Sequence, residues 1–347
     1  MTSDAVVPRQ YEFSGRQVDV FFDADFSLLK EKLSREKTVF ITDENVFAAH
    51  QDKFIGWQLI IIKAGEFFKN QQAVDTIIEQ LIALHADRQS FIVGVGGGVV
   101  TDITGFVASI YMRGVKFAFV PTTVLAMVDA SIGGKNGIDV GVYKNLVGVI
   151  NQPDFLWYDY SFLRTLPFQE WVNGFAEIIK HACIKDAPLF EYLEHHTVND
   201  FQVSAEEIGE LIRRNVAIKL DIVVRDERET GERKLLNFGH TIGHAIENTS
   251  RLPHGHAISI GMVAACRISE AIAAFDAAAT TRVTRLLQQY ELPVTFLADS
   301  TQTWEILLHD KKRRGNALSF VVLNTIGKAA IQSIPLDQLH QIFNSLQ

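Results

Sequence analysis

The chain has 347 residues, 47% of them hydrophobic, with 33 Lys and Arg against 41 Asp and Glu and a formal net charge of -8. That length is too great for one small core, so two domains are expected, and an acidic balance without a long basic run argues against nucleic acid as the main partner. The N-terminus lacks a basic start followed by an apolar core, Arg113 and Asp129 interrupt the longest apolar stretches, and Cys183 and Cys266 are too few for a disulfide framework; a cytoplasmic setting with no membrane partner is expected.

The first half alternates strands with helices. β-rich runs fall at Gln17-Phe22, Thr38-Thr42, Trp57-Ile62, Phe91-Val95 and Phe117-Val120, each but the last followed by a helical or polar segment. Between Gln71 and Asp87 the apolar residues Val74, Ile77, Ile78, Leu81 and Ile82 recur with helical period. This rhythm predicts a parallel sheet with helices packed on it. After about Tyr160 long amphipathic stretches near 167–195, 204–224, 238–249 and 256–275 dominate, and β-rich runs are few. The expected fold class is α/β plus all-α: a Rossmann-like parallel-sheet domain over 1–160, then a helical metal-binding domain over 161–347.

Three clusters carry chemistry. Gly94-Val-Gly-Gly-Gly-Val-Val-Thr-Asp102 follows the fourth predicted strand and opens a helix. Glycines there let the backbone approach a pyrophosphate, whose charge suits the free amides of a helix N-terminus; a tight strand–helix turn has the same composition, and Val99 holds the last place of the usual glycine pattern. Asp43, after the strand Thr38-Thr42, stands where a carboxylate could hold a ribose hydroxyl. Next come the cations Arg113, Lys135 and Lys144-Asn145, with Gly133-Gly134 opening backbone access for an anion. Each alone reads as a solvated surface cation, and together they suit a phosphate. Last, Glu177, His240, His244 and His254 could close around one metal ion. His240 and His244 are four apart on one helix face, and imidazoles with a carboxylate suit zinc and leave a position open for water or substrate. Histidine pairs four apart also occur in ordinary helices, His254 could be a turn residue, and half-buried Glu177 could simply pair with Lys180.

The order of motifs resembles the 3-dehydroquinate synthase family: Gly-Gly-Gly-Val-Val-x-Asp, Tyr-Met-Arg-Gly, Val-Pro-Thr-Thr, Asp129-x-Ser-Ile-Gly-Gly-Lys135, Lys144-Asn145, Ala-Glu-Ile-Ile-Lys180, Asn237-Phe-Gly-His-x-x-Gly-His244 and His254-Gly. The match runs from about Asp43 to Lys312. The resemblance implies an NAD- and metal-dependent carbon–oxygen lyase, usually a homodimer, using Zn2+ or Co2+. The family reaction converts 3-deoxy-D-arabino-heptulosonate 7-phosphate into 3-dehydroquinate and phosphate, in the shikimate pathway of aromatic amino acid biosynthesis, by transient oxidation, elimination, re-reduction and aldol closure. Carried over by motif, the metal ligands are Glu177, His240 and His254, and His244 lines the substrate phosphate region. Asp129, Lys180, Lys219, Arg233 and Asn237 would contact the carbocycle and its carboxylate, with Glu229 nearby. Arg113, Lys135, Asn145 and Lys312, the last preferred to Lys311, would surround the phosphate. NAD would lie against Gly97, Gly98, Val99 and Asp102, with Asp43, Glu66, Lys69, Thr122, Thr123 and Lys144 as further contacts. His256, Asn136 and Thr101 depart from the family pattern. The rival readings are a sugar phosphate cyclase making an inosose or a valiolone, and a metal- and NAD-dependent polyol dehydrogenase, which needs no phosphate cluster and accumulates NADH.

Overall fold

The structure, a computed structural model, describes residues 7–141, 143–250, 252–295, 304, 313–314 and 316–345. The chain divides into two compact units, Met1–Glu170 with Ala205–Glu227, and Trp171–Ser204 with Arg228–Gln347.

In the first unit, strands β1 (Arg9–Phe13), β2 (Arg16–Phe21), β3 (Thr38–Asp43), β4 (Gln58–Ile62), β5 (Phe91–Gly96), β6 (Lys116–Pro121) and β9 (Phe155–Trp157) form one seven-stranded sheet in the order β1-β2-β9-β6-β5-β3-β4. Every neighbouring pair is parallel except the hairpin β1–β2. Strands β3 and β5 are buried almost throughout, as a sheet covered on both faces requires. Phe21, Phe26, Phe40, Phe54, Val93, Val120, Phe155 and Trp157 share one buried core cluster.

The crossovers are α1 (Leu29–Lys32), α2 (Glu44–His50), α3 (Gln71–Ala83) and α4 (Gly98–Ile110). Asn70 caps α3 by accepting from the Ala73 amide, and Val74, Ile77 and Leu81 are buried; burying each is worth about 1.5–3 kcal/mol. Ile82, read as part of that apolar face, is instead 61% exposed. Strands β7 (Lys135–Val140) and β8 (Tyr143–Ile150) make a separate antiparallel hairpin.

The second unit holds α5 (Phe168–Lys185) from Trp171 onward, α6 (Ala187–Glu194), α7 (Val198–Val203), α9 (His240–Thr249), α10 (His254–Ala273) and α11 (Ala277–Gln289), while α8 (Ala205–Arg225) returns to the first unit. The stretch read as continuous over 167–195 is broken where Asp186 caps a new helix with proline in its first turn. Helix α5 is buried from Trp171 to Ile184, including Glu177 and Lys180. Helix α10 is long and apolar enough to cross a membrane by length and composition, but more than half of that window is buried inside the protein. A three-stranded antiparallel sheet, β10 (Arg313–Arg314), β11 (Ala317–Thr325) and β12 (Lys328–Pro335), was absent from the sequence reading; a turn with Gly327 at φ 84° joins its longer strands.

Candidate functional site

Helices α5, α9 and α10 each supply one group to a buried cluster in the second unit. Glu177 is fully buried on α5, and its Oε1 lies 3.5 Å from His240 Nε2 and 3.4 Å from His254 Nε2. That oxygen has no hydrogen-bond donor, a costly arrangement for a buried carboxylate. The other oxygen, Oε2, accepts from Lys180 one turn along. Each imidazole is tied at its far nitrogen. His240 Nδ1 lies 3.1 Å from the Phe238 carbonyl, and His254 Nδ1 lies 3.5 Å from Glu247 Oε2. A carbonyl and a carboxylate can only accept, so both rings carry a proton on Nδ1, which leaves Nε2 as the atom each ring could offer to a metal.

These atoms fit a divalent metal. Ligand atoms about 2.0–2.2 Å from zinc at tetrahedral angles stand roughly 3.3–3.6 Å apart, and the two Oε1–Nε2 distances fall in that interval. Burial, with the Lys180 charge added, pulls His240 down to about 3, so it is neutral at every physiological pH. His254 goes the other way: against its partial burial, the carboxylates of Glu177 and Glu247 beside it raise it to about 10. Burial alone would raise Glu177, but Lys180 and the two histidines hold it far below the usual carboxylate range. Without metal, His254 is therefore an imidazolium that takes the cation's place between two carboxylates. His244 sits one turn along α9 with its ring 5.1 Å from that of His240, and can join a second group of potential ligands with Glu247 and His254.

Nearby in the same unit, Glu229, at φ 58°, accepts a hydrogen bond from Asn237, and Arg233 is buried in the short 3-10 helix Glu232–Asn237.

In the first unit the glycine turn joins β5 to α4. Gly97 is the N-cap of α4 and no side chain caps that end, so the first amides of a 13-residue helix are left for a ligand. A Cβ on Gly97 would stand 3.2 Å from the Thr123 methyl, and one on Gly98 would stand 3.2 Å from Ala130 Cβ, so a side chain at either place would crowd the turn. Val99 follows in the first turn, and Thr122 is buried, its amide donating to the Gly96 carbonyl at 3.0 Å. Thr123 caps the next turn through the Ala126 amide.

Lys69 is buried beside this turn, donates to Asp102 and reaches Asn145 Oδ1 at 2.6 Å. Burial would lower Lys69, but Asp102 and Glu66 outweigh it and raise its pKa. Glu66 lies 3.9 Å from both Lys69 and Lys144. Asp43 already has structural work, since one carboxylate oxygen accepts from the Asn45 and Val46 amides and caps α2.

Asp129 sits in a π-helical turn, Ala126–Ala130, a geometry frequent at functional sites. Lys219, on α8, donates to its carboxylate at 2.7 Å and to its backbone carbonyl at 2.5 Å. Arg113 and Asn145 both hold positive φ, 69° and 50°. The hairpin register sets Lys135 opposite Ile150, so Asn145 lies five residues along the partner strand, on the order of 15 Å away. Lys312 lies outside the described residues.

Two of the departures have local explanations. Asn136 is buried and ties two backbone carbonyls, those of Gly134 and Asn151, at 2.9 and 2.8 Å, filling the space that Gly105 leaves open. Thr101, fully buried, turns its hydroxyl onto the Gly98 carbonyl at 3.0 Å. His256 is half-buried in the first turn of α10, and nothing in the structure explains its choice.

Comparison with known proteins decides the family. Residues 59–173 match the model of the 3-dehydroquinate synthase N-terminal domain, and residues 174–313 match that of its C-terminal domain. The chain belongs to the 3-dehydroquinate synthase family. A 3-dehydroquinate synthase of Leptospira interrogans is 37% identical over 335 residues, 93% of this chain and 92% of that protein. One from Thermodesulfovibrio yellowstonii is 36% identical over 96% of this chain and 98% of its own length. Among solved structures, a 2-epi-5-epi-valiolone synthase from Streptomyces hygroscopicus, with NAD+ and Zn2+ bound, superposes with a TM-score of 0.85 at 25% identity, covering 100% of this chain and 99% of its own. A 2-deoxy-scyllo-inosose synthase complexed with carbaglucose-6-phosphate, NAD+ and Co2+ shares the fold, with a TM-score of 0.83 at 24% identity, over 98% of this chain and 100% of its own.

Two residues around the Glu177, His240 and His254 cluster of this 3-dehydroquinate synthase family member are not singled out by the sequence. Glu247 follows His240 and His244 at the spacing i, i+4, i+7, and Asn173 precedes Glu177 by four; each shares a helix face with a candidate ligand, which was the available signal.

Proposed function

We propose that this chain converts 3-deoxy-D-arabino-heptulosonate 7-phosphate into 3-dehydroquinate and phosphate with NAD and one divalent metal, zinc or cobalt. The observation that carries the reading is the convergence of Glu177 Oε1 with the Nε2 atoms of two histidines, in a chain whose other unit holds an uncapped glycine turn and buried lysines. NAD would be held by Gly97, Gly98, Val99 and Asp102 and would supply a reversible hydride acceptor for the C5 alcohol. A metal held by Glu177, His240 and His254 supplies polarisation of the substrate oxygens, favouring loss of the hydroxyl proton and acidifying the carbon beside the ketone.

The chain's own residues do the rest. Lys69 holds Asp102 in place at the turn, with Glu66 and Lys144 as its charged neighbours. Thr122 and Thr123 shape the floor of the cradle, and Asp43 is assigned to the ribose through the oxygen its capping role leaves over. Lys180, Arg233 and Asn237 bind the carbocycle and its carboxylate, with Glu229 orienting the Asn237 amide. Asp129 and Lys219 act as one ion pair toward the same ring. Arg113, Lys135, Asn145, His244 and Lys312 are assigned to the phosphate. In the elimination the carbon-bound proton passes to the departing phosphate as the C–H and C–O bonds break and a C=C bond forms; the ring C–O bond then opens and the aldol step forms the new ring C–C bond without net redox change. Identity near 37% to dehydroquinate synthases, against 25% to a valiolone synthase, favours this substrate over the other cyclases'. We also assign a homodimer in the cytoplasm; the exposed apolar side chains of β8, Tyr143, Leu146, Val147 and Ile150, support self-association.

The test is a mixture of pure protein, NAD, zinc and the heptulosonate phosphate, followed for inorganic phosphate and for NADH absorbance. Phosphate and dehydroquinate released together with no standing NADH support the cyclase. Steady NADH growth without phosphate sinks it.

A further inference from the structure

Glu247 is a buried carboxylate on α9 with its Oε2 3.5 Å from His254 Nδ1. Helix geometry sets it seven residues after His240 on the same face. One helix thus offers a ligand and, two turns on, an acceptor for the ring of a ligand from another helix. A buried carboxylate requires a donor, and the Nδ1–H of His254 is one. With Nδ1 held by that bond, Nε2, the atom that faces Glu177 Oε1 at 3.4 Å, is the one left to a metal.

The backbone beside that ring is held as well. Asn173 Oδ1 accepts from the Gly255 amide at 2.5 Å, and Asn173 lies on α5 one turn before Glu177. The same helix therefore carries one ligand and anchors the chain next to another. An opposing arrangement, with Glu247 itself a ligand beside His244 and His254, would turn Nδ1 of His254 to the metal. It would also leave the buried Glu177 Oε1 without a cation and give no purpose to the Phe238 carbonyl that orients His240.

We infer that Glu247 is a positioning residue of the metal centre, fixing His254 in its Nδ1–H tautomer and ring orientation while Asn173 fixes its backbone. The inference rests on the metal reading of Glu177, His240 and His254. A carboxylate in that place also makes Nε2 a more basic ligand than a carbonyl partner would.

The full-length metal-free chain is titrated with Co2+, and with Zn2+ against a competing chelator, as wild type, Glu247→Gln and Glu247→Ala, with thermal melting of each metal-free protein alongside. The expected wild-type result is one Co2+ per chain with the visible absorption of a low-coordinate site. Glu247→Gln keeps an acceptor for Nδ1–H but not the charge, so it should bind about 10-fold more weakly with the band shape retained. Glu247→Ala should lose roughly 100-fold, with a shifted band. Excess metal should restore kcat in the Gln variant with the substrate KM unchanged, a pattern that a merely structural role would not give. Both variants binding within twofold of wild type, with the same spectrum, would overturn the inference. Complete loss of the ion in Glu247→Gln would also overturn it, by making Glu247 a ligand. If Glu247→Ala does not fold, the Gln variant decides alone. A wild-type chain that takes up neither ion refutes the metal reading itself, a separate failure.

Discussion

Replacing Gly255 by alanine drives a methyl group into α5 at the point where that helix holds the start of α10. The new Cβ would stand 2.8 Å from Asn173 Oδ1 and 2.9 Å from its carbonyl carbon, and closer still to the carbonyl oxygen. Carbon–carbon contacts settle at about 3.5–4.0 Å, so the helices must part by at least roughly 0.6 Å. Metal sites tolerate about ±0.2 Å in ligand distance, and His254 is the adjacent residue, so it is carried out of range of Glu177. Overpacking of this kind costs about 1–3 kcal/mol, and misplacement on the ångström scale costs about 100-fold in turnover. Gly255→Ala should therefore melt lower than wild type in the metal-free state, bind zinc far more weakly in a chelator competition, and lose about two decades of kcat. Wild-type zinc affinity and kcat in a folded Gly255→Ala protein would refute the claim that the α5–α10 contact sets the ligand geometry.

Because His254 is raised to about 10 in the folded metal-free protein, above its ordinary 6.5, its proton stabilises that state below about pH 6.5, and this contribution is lost as pH climbs through about 10. Metal must displace that proton and takes none from His240, so calorimetry at pH 7.5 in buffers of different ionisation enthalpy should report about one proton released per zinc, with affinity rising about tenfold per pH unit; a buffer-independent enthalpy contradicts this. Lys180→Met removes one of the two cations beside a fully buried carboxylate, so the metal-free protein should lose stability in denaturant unfolding, by at most about 3–5 kcal/mol, zinc recovering part of it; an unchanged midpoint contradicts the pairing. Lys69→Met should weaken NAD binding, measured by calorimetry, while zinc affinity stays at the wild-type value, and unaltered NAD affinity would remove Lys69 from the turn. His254→Ala should give a folded chain that retains no zinc after dialysis and does not turn over; an active, zinc-loaded variant would show the wrong ligand was named.

The parallel sheet was legible because strands buried on both faces read as apolar runs with glycine or polar breaks, as at Phe91–Gly96. The same reading passed over the β10–β12 sheet, although Leu318–Leu323 and Gly327 form a run-and-turn signal, because long helical stretches dominate the second half. Near the metal cluster, local spacing exposed His240 and His244 but could not choose among the histidines. That choice depends on which nitrogen is free, and the partners of those rings come from the fold. Lys219 meeting Asp129 across ninety residues, and Asn173 holding Gly255 across eighty-two, leave no trace in any local pattern. Asp43 shows the opposite case: its position after β3 suggested a ribose contact, while its immediate work is to cap α2.

The central claim is an oxidation that is undone within each turnover. The direct measurement supplies NAD at one equivalent per chain, with zinc and a large excess of the heptulosonate phosphate, and counts phosphate released per NAD. Many phosphates per NAD are expected, with the cofactor recovered oxidised. Phosphate that stops at about one per NAD, with NADH accumulated, would contradict it.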